Sequence, residues 1–144
     1  MASEMTERNR RIVERLIAEA VLDGRLDVID ELCDPGVINH AAVPQAREGI
    51  DGLKRVIGFS RAAMPDQRWT DEVLVANEEY VVVRAVREST WSAESFRGFA
   101  TPQGVTTAVE MVHIWRLAEG KIVEHWAVRD DLGLMMQLGV VKSG

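Results

Sequence analysis

One cysteine, Cys33, stands in the 144 residues. That excludes an intrachain disulfide and a cysteine-rich metal centre, and it fits a reducing cytoplasm, where the protein is expected. Histidine is scarce too. His40, His113 and His125 are scattered, no His-Glu-x-x-His pattern joins them, and no metal is expected. Neither Gly-x-Gly-x-x-Gly nor Gly-x-x-x-x-Gly-Lys occurs, so dinucleotide and phosphate-loop cofactors are not expected, and the chemistry is read as cofactor-independent. Positive charge is in deficit: 17 Lys+Arg against 23 Asp+Glu leave a formal charge of −6. The densest basic run, Arg8 to Arg15, is broken by Glu14 and matched by Glu4 and Glu7, so a nucleic-acid partner is not expected. No segment approaches the roughly eighteen uninterrupted apolar residues of a membrane span. The polar start Met-Ala-Ser-Glu-Met-Thr-Glu lacks the basic and apolar stretches of a signal peptide.

What remains, 47% apolar and 28% charged residues, is the composition of one globular domain, expected over residues 1–144. From Thr6 to Asp23, Ile12, Val13, Leu16, Ile17, Ala20 and Val21 recur at steps of three and four, which predicts an amphipathic helix ended by Gly24. A second helix is predicted from Leu26 to Cys33, stopped by Asp34-Pro35-Gly36. After an extended piece over Val37–His40, a third spans Gly49–Met64 and is closed by Pro65.

Beyond Pro65 the period changes to two. Trp69, Asp71, Val73 and Val75 alternate with Thr70, Glu72, Leu74 and Ala76. Strands follow at Tyr80–Thr90, Val105–Leu117 and Lys121–Val128, then a short helix from Leu132 to Leu138 and a frayed tail. Helices first and meandering antiparallel strands after make an α+β order.

The turn Glu119-Gly120-Lys121-Ile122, then Glu124-His125-Trp126 and Gln137-Leu138-Gly139, resembles the SnoaL-like polyketide cyclase family. Met64-Pro65-Asp66 and Phe99-Ala100-Thr101-Pro102-Gln103-Gly104 are similar to the same family's connecting segments. The likeness runs from about Thr6 to Gly139 and lies in the order and spacing of weak motifs. It implies the cone-shaped α+β barrel shared with nuclear transport factor two and scytalone dehydratase: a curved antiparallel sheet with three N-terminal helices and a short C-terminal helix around a pocket. For the family's ester-cyclising members it implies an acid/base Asp on the fourth strand. Counting along His125-Trp126-Ala127 puts Ala127 there, and a methyl group transfers no proton. Asn39, His113 and His125 are the features that the resemblance leaves in place around it.

Two function classes follow: a cofactor-free enzyme on a hydrophobic oxygenated small molecule, and a non-catalytic binder of such a ligand, which Ala127 favours. His113, alternating with Met111 and Trp115, reads either as a core histidine or as a pocket group. His125, which shares its face with Ala127, is expected in the pocket with Asp130 as the carboxylate that orients it, while Asp131 caps the last helix. His113, His125 and Asp130 are thus the candidate catalytic residues; Asn39, His40, Trp69, Met111, Trp115 and Ala127 are candidate substrate contacts. Arg84 shares a face with Tyr80, Val82 and Val86 and, if buried, needs a carboxylate such as Glu110. Val81, Val83, Val112 and Ile114 are expected to give an apolar convex face and hence a homo-oligomer.

Overall fold

Two apolar spacings, one helical and one alternating, sort the chain into helices that cover a single sheet. The computed structural model describes residues 1–142; Ser143 and Gly144, the end of the expected domain and tail, lie outside the described residues. Helix α1 (Glu4–Arg15) starts two residues before the apolar pattern because the Ser3 hydroxyl accepts the Thr6 backbone N–H. The predicted single helix then widens into a π-helical stretch, Leu16–Leu22, whose Leu16, Ile17 and Ala20 are buried. Its last carbonyls, on Val21 and Leu22, accept the Arg61 guanidinium at 3.0 and 2.6 Å. Gly24, at φ +78°, leaves room for that guanidinium: a Cβ would stand 2.6 Å from Arg61 Nε.

Helix α2 (Asp27–Leu32) leads into strand β1 (Cys33–Asn39), longer than the extended piece expected from Val37. A 3₁₀ turn over Pro44–Ala46 and helix α3 (Gly49–Ala63) come next. Strands β2 (Arg68–Ala76) and β3 (Tyr80–Trp91), the small hairpin β4 (Ser95–Phe96) and β5 (Phe99–Ala100), and strands β6 (Val105–Ala118) and β7 (Lys121–Arg129) precede helix α4 (Asp131–Gln137). The five long strands form one sheet in the order β1-β7-β6-β3-β2. The sheet is curved and does not close, and β1 pairs with β7 in parallel, so it is mixed rather than wholly antiparallel. The tail does not fray at once: Val140 N–H donates to the Met135 carbonyl at 2.9 Å.

Alternation assigns β6 correctly, with Val109, Met111, His113 and Trp115 all buried on the face toward the helices. On β3 the inward set is Val81, Val83, Ala85, Arg87, Ser89 and Trp91. Val81 and Val83 therefore belong to the core, at 0% and 1% exposure, and not to the convex face expected of them. The reason is register: Val83 stands opposite His113 and Val81 opposite Trp115, and directly paired residues share a face. On β2 the alternation breaks at a bulge between Thr70 and Val73, where Asp71 takes φ +54°. Trp69 consequently points inward while Val73 and Val75, expected beside it, point out. Arg84 holds the bulge from the outer face, bonding the Asp71 carboxylate at 2.8 Å and also pairing with Glu110.

Candidate active site

The inward residues of β3, β6 and β7 meet the helices around a cavity of about 60 Å³. Its walls include Leu16, Leu53, Ile57 and Met111, with Trp69 and Trp115 as flat faces; Asn39, His113, His125, Arg87 and Arg129 are its polar groups from the strands, and Ser60 and Gln67 line it from α3 and the segment after it. The helix residues are there because each helix buries one apolar stripe. The five strand residues among the polar groups stand at positions where alternation alone would put further apolar side chains.

Three of them form a chain of hydrogen bonds. The parallel register puts Asn39 beside His125, and Asn39 Oδ1 lies 2.8 Å from His125 Nδ1. The same oxygen accepts the Ala41 backbone N–H at 3.1 Å, which identifies it as the carbonyl oxygen rather than the amide nitrogen. His125 must then donate from Nδ1. Burial pushes its pKa down to about 3, with Arg129 and His40 adding to the effect, so the ring is neutral and Nε2 carries a lone pair. That lone pair accepts from His113 Nδ1 at 2.9 Å. His113, also held well below its ordinary value by burial and then by His125, Arg129 and Arg87, is left with an unprotonated Nε2. This nitrogen is buried and has no hydrogen-bond partner among the described residues. The rings are clamped by stacking: His113 lies 4.8 Å from Trp69 and 5.2 Å from Trp115, centroid to centroid.

The remaining candidates are placed differently. Ala127 is half-buried and stands directly opposite His113 in the β6–β7 register. Asp130 does not orient His125. It caps α4, accepting the Gly133 N–H at 2.8 Å, the role expected of Asp131, while Asp131 instead bonds Arg97 at 2.6 Å. Asn39 occupies the partner position on His125 that Asp130 was expected to fill. His40, next in the chain to Asn39, projects to the other side of the sheet, where it stacks on Trp126 at 4.9 Å and bonds Glu124 at 2.8 Å, so it is no cavity contact. Trp91 packs in the core with its Nε1 on the Thr101 hydroxyl, and Cys33 is buried with its thiol pushed up to about 12. From the sequence, Arg129 reads either as a clamp for an anionic substrate group or, more commonly for a strand end, as an exposed arginine, and Arg87 is passed over; both line the cavity. Arg87 was detectable as the one charge among the inward positions of β3, once the phase of that strand is set by Val81 and Val83.

The SnoaL-like polyketide cyclase family profile matches residues 11–138, and the chain belongs to that family. Among solved structures, one from Jannaschia sp. CCS1 assigned to the SnoaL-like polyketide cyclases is 26% identical, with a TM-score of 0.84 and 98% of each chain covered. IdmH from Streptomyces antibioticus, assigned as a polyketide cyclase, is 27% identical over 90% of this chain and 97% of its own, with a TM-score of 0.74. TsrD from Streptomyces laurentii, 22% identical over 94% of this chain and 97% of its own, shares the fold at a TM-score of 0.81. No curated protein matches.

Proposed function

We propose that the protein is a cofactor-independent acid/base enzyme that removes a proton adjacent to a carbonyl of a small oxygenated substrate, with His113 Nε2 as the base. The observation that carries this reading is the unpartnered lone pair of His113 inside the cavity. Orphaned buried polar atoms cost stability, commonly about 1–3 kcal/mol, and are rare in folded proteins unless a ligand completes them. Asn39 and His125 act behind His113 as positioning residues. They fix its tautomer, and once His113 takes a proton at Nε2 the cation keeps its Nδ1–H on His125. Trp69 and Trp115 offer apolar walls, and Met111 a flexible floor. Ala127, opposite His113, leaves that position of β7 without a carboxylate, and Glu124 of the same strand pairs with His40 on the other face, which is why the base is assigned to the imidazole.

The test uses methyl acetoacetate in D₂O, following deuterium uptake at C2 by NMR. The protein should accelerate exchange above the protein-free rate, and His113→Gln should lower the acceleration by about 10²-fold or more, the usual scale for a general base. Equal acceleration by wild type and His113→Gln would contradict the assignment. The second reading, a ligand-binding protein without turnover, is favoured by Ala127 and predicts binding with no acceleration at all.

We also infer a homo-oligomer formed through the convex face. There Val75, Val82, Ile114 and Trp126 follow one another across the sheet in register, and Val73, Val112 and Val128 flank Arg84 in the next row. Val73, Val75 and Val128 are 55%, 62% and 76% exposed, an apolar surface of the kind that marks association.

A further inference from the structure

Arg87 is 7% exposed, and its Nε has no hydrogen-bond partner among the described residues. Among the described residues no carboxylate hydrogen-bonds the guanidinium of Arg87 or of Arg129. The two flank β6 from either side: Arg87 stands opposite Val109, and Arg129 opposite Met111. Both line the cavity that holds His113, and both line an adjoining cleft of about 130 Å³ between α3, the β4–β5 hairpin and α4. Asp131, the carboxylate of that cleft, is engaged by Arg97 at 2.6 and 3.1 Å. Two neighbouring arginines in a largely buried site, without a bonded counter-charge, are costly to the empty protein.

We propose that Arg87 and Arg129 form an anion seat for a carboxylate on the substrate, which holds the substrate's carbonyl and acidic C–H toward His113. Guanidinium groups match a carboxylate through paired N–H donors, and their attraction strengthens where water is excluded. The spacing fits a short acid. Met111 lies between the seat and the base, and His113 is two residues further along β6, about 7 Å by strand rise. Trp69 joins the two ends, being opposite Arg87 on β3 and stacked on His113. Burial, and after it the charges of Arg129 and Arg87, hold His113 below its ordinary basicity; a bound anion would offset those charges, so the substrate that fills the seat strengthens the base it meets. This assignment rests on the reading of His113 as base and adds the substrate class.

The experiment compares acetoacetate with methyl acetoacetate, which share the acidic C–H and differ in the charge. Binding is followed by the fluorescence of Trp69 and Trp115, in wild type, Arg87→Met, Arg129→Met and His113→Gln. Wild type should bind acetoacetate at least about 10-fold tighter than the ester. Each Met variant should bring that ratio near one, and Arg87→Met should melt no lower than wild type, because an unpaired buried charge is replaced by a side chain of similar length. His113→Gln should keep the preference and lose C2 exchange. A ratio near one in wild type, or one that survives in both Met variants, overturns the anion seat. Preference without exchange contradicts only the base, and exchange without preference contradicts only the seat.

Discussion

At the scale of single residues, the site depends on one amide oxygen. Asn39 Oδ1 is fixed by the Ala41 N–H, and this alone decides which nitrogen of His125, and then of His113, carries a proton. Asn39→Ala should therefore lower C2 exchange by about 10-fold or more with little change in the binding of methyl acetoacetate, because the base stays in place while its tautomer is no longer set. A loss of binding equal to the loss of rate would contradict the positioning role. The same histidines make stability depend on pH in a defined direction. Both are held neutral in the fold, with folded values below the ordinary 6.5, so the unfolded chain takes up the extra protons. Their contribution is complete above about pH 6.5 and drains as pH falls toward the folded value, about 3 for His125. Urea unfolding at pH 7.5 and pH 5 should show the loss, and His125→Gln should show less of it. A restored carboxylate, Ala127→Asp, would stand opposite His113 and should raise its pKa toward or above the ordinary value, read by NMR titration of the imidazole.

At the scale of elements, the position of α3 is set by a close approach. Gly52 has the Ala46 carbonyl oxygen 2.5 Å from where a Cβ would be, so Gly52→Ala must push α3 away from the 3₁₀ turn and should cost about 1–3 kcal/mol in urea unfolding. Elements were also where the sequence was most and least legible. Val109, Met111, His113 and Trp115 share a face because β6 keeps an unbroken period of two, and nothing in the structure interrupts it. On β2 the same rule failed after Thr70. A bulge shifts the phase by one residue, and Asp71 at positive φ is a conformation that a period count does not register. The parallel pairing of β1 with β7 is a long-range contact with no local signature, so Asn39 could be named as a site residue but not matched to His125. Asp130 and Asp131 show the limit from the other side. Either suits an N-cap, and a one-residue difference in where α4 begins exchanged the cap for the ion pair with Arg97.

At the scale of the whole molecule, one open sheet separates two surfaces of different chemistry. Its concave side gathers His113, His125, Trp69, Trp115 and the two arginines Arg87 and Arg129 under the helices, and its convex side carries rows of valine around Arg84. Sedimentation at micromolar concentration should give a homo-oligomer, and Val128→Glu, a charge placed on the most exposed of those valines, should shift it to monomer. A wild-type monomer would contradict the convex interface and leave the cavity chemistry untouched. No described helix is long and apolar enough to cross a membrane. The chemistry of the cavity turns on where one proton sits. Nitrogen-15 NMR of the histidine side chains at neutral pH tests that most directly. The expected result is that His113 is neutral with its proton on Nδ1 and a bare Nε2, and that His125 is likewise protonated on Nδ1. A proton on His113 Nε2, or a doubly protonated ring at pH 7, would contradict it.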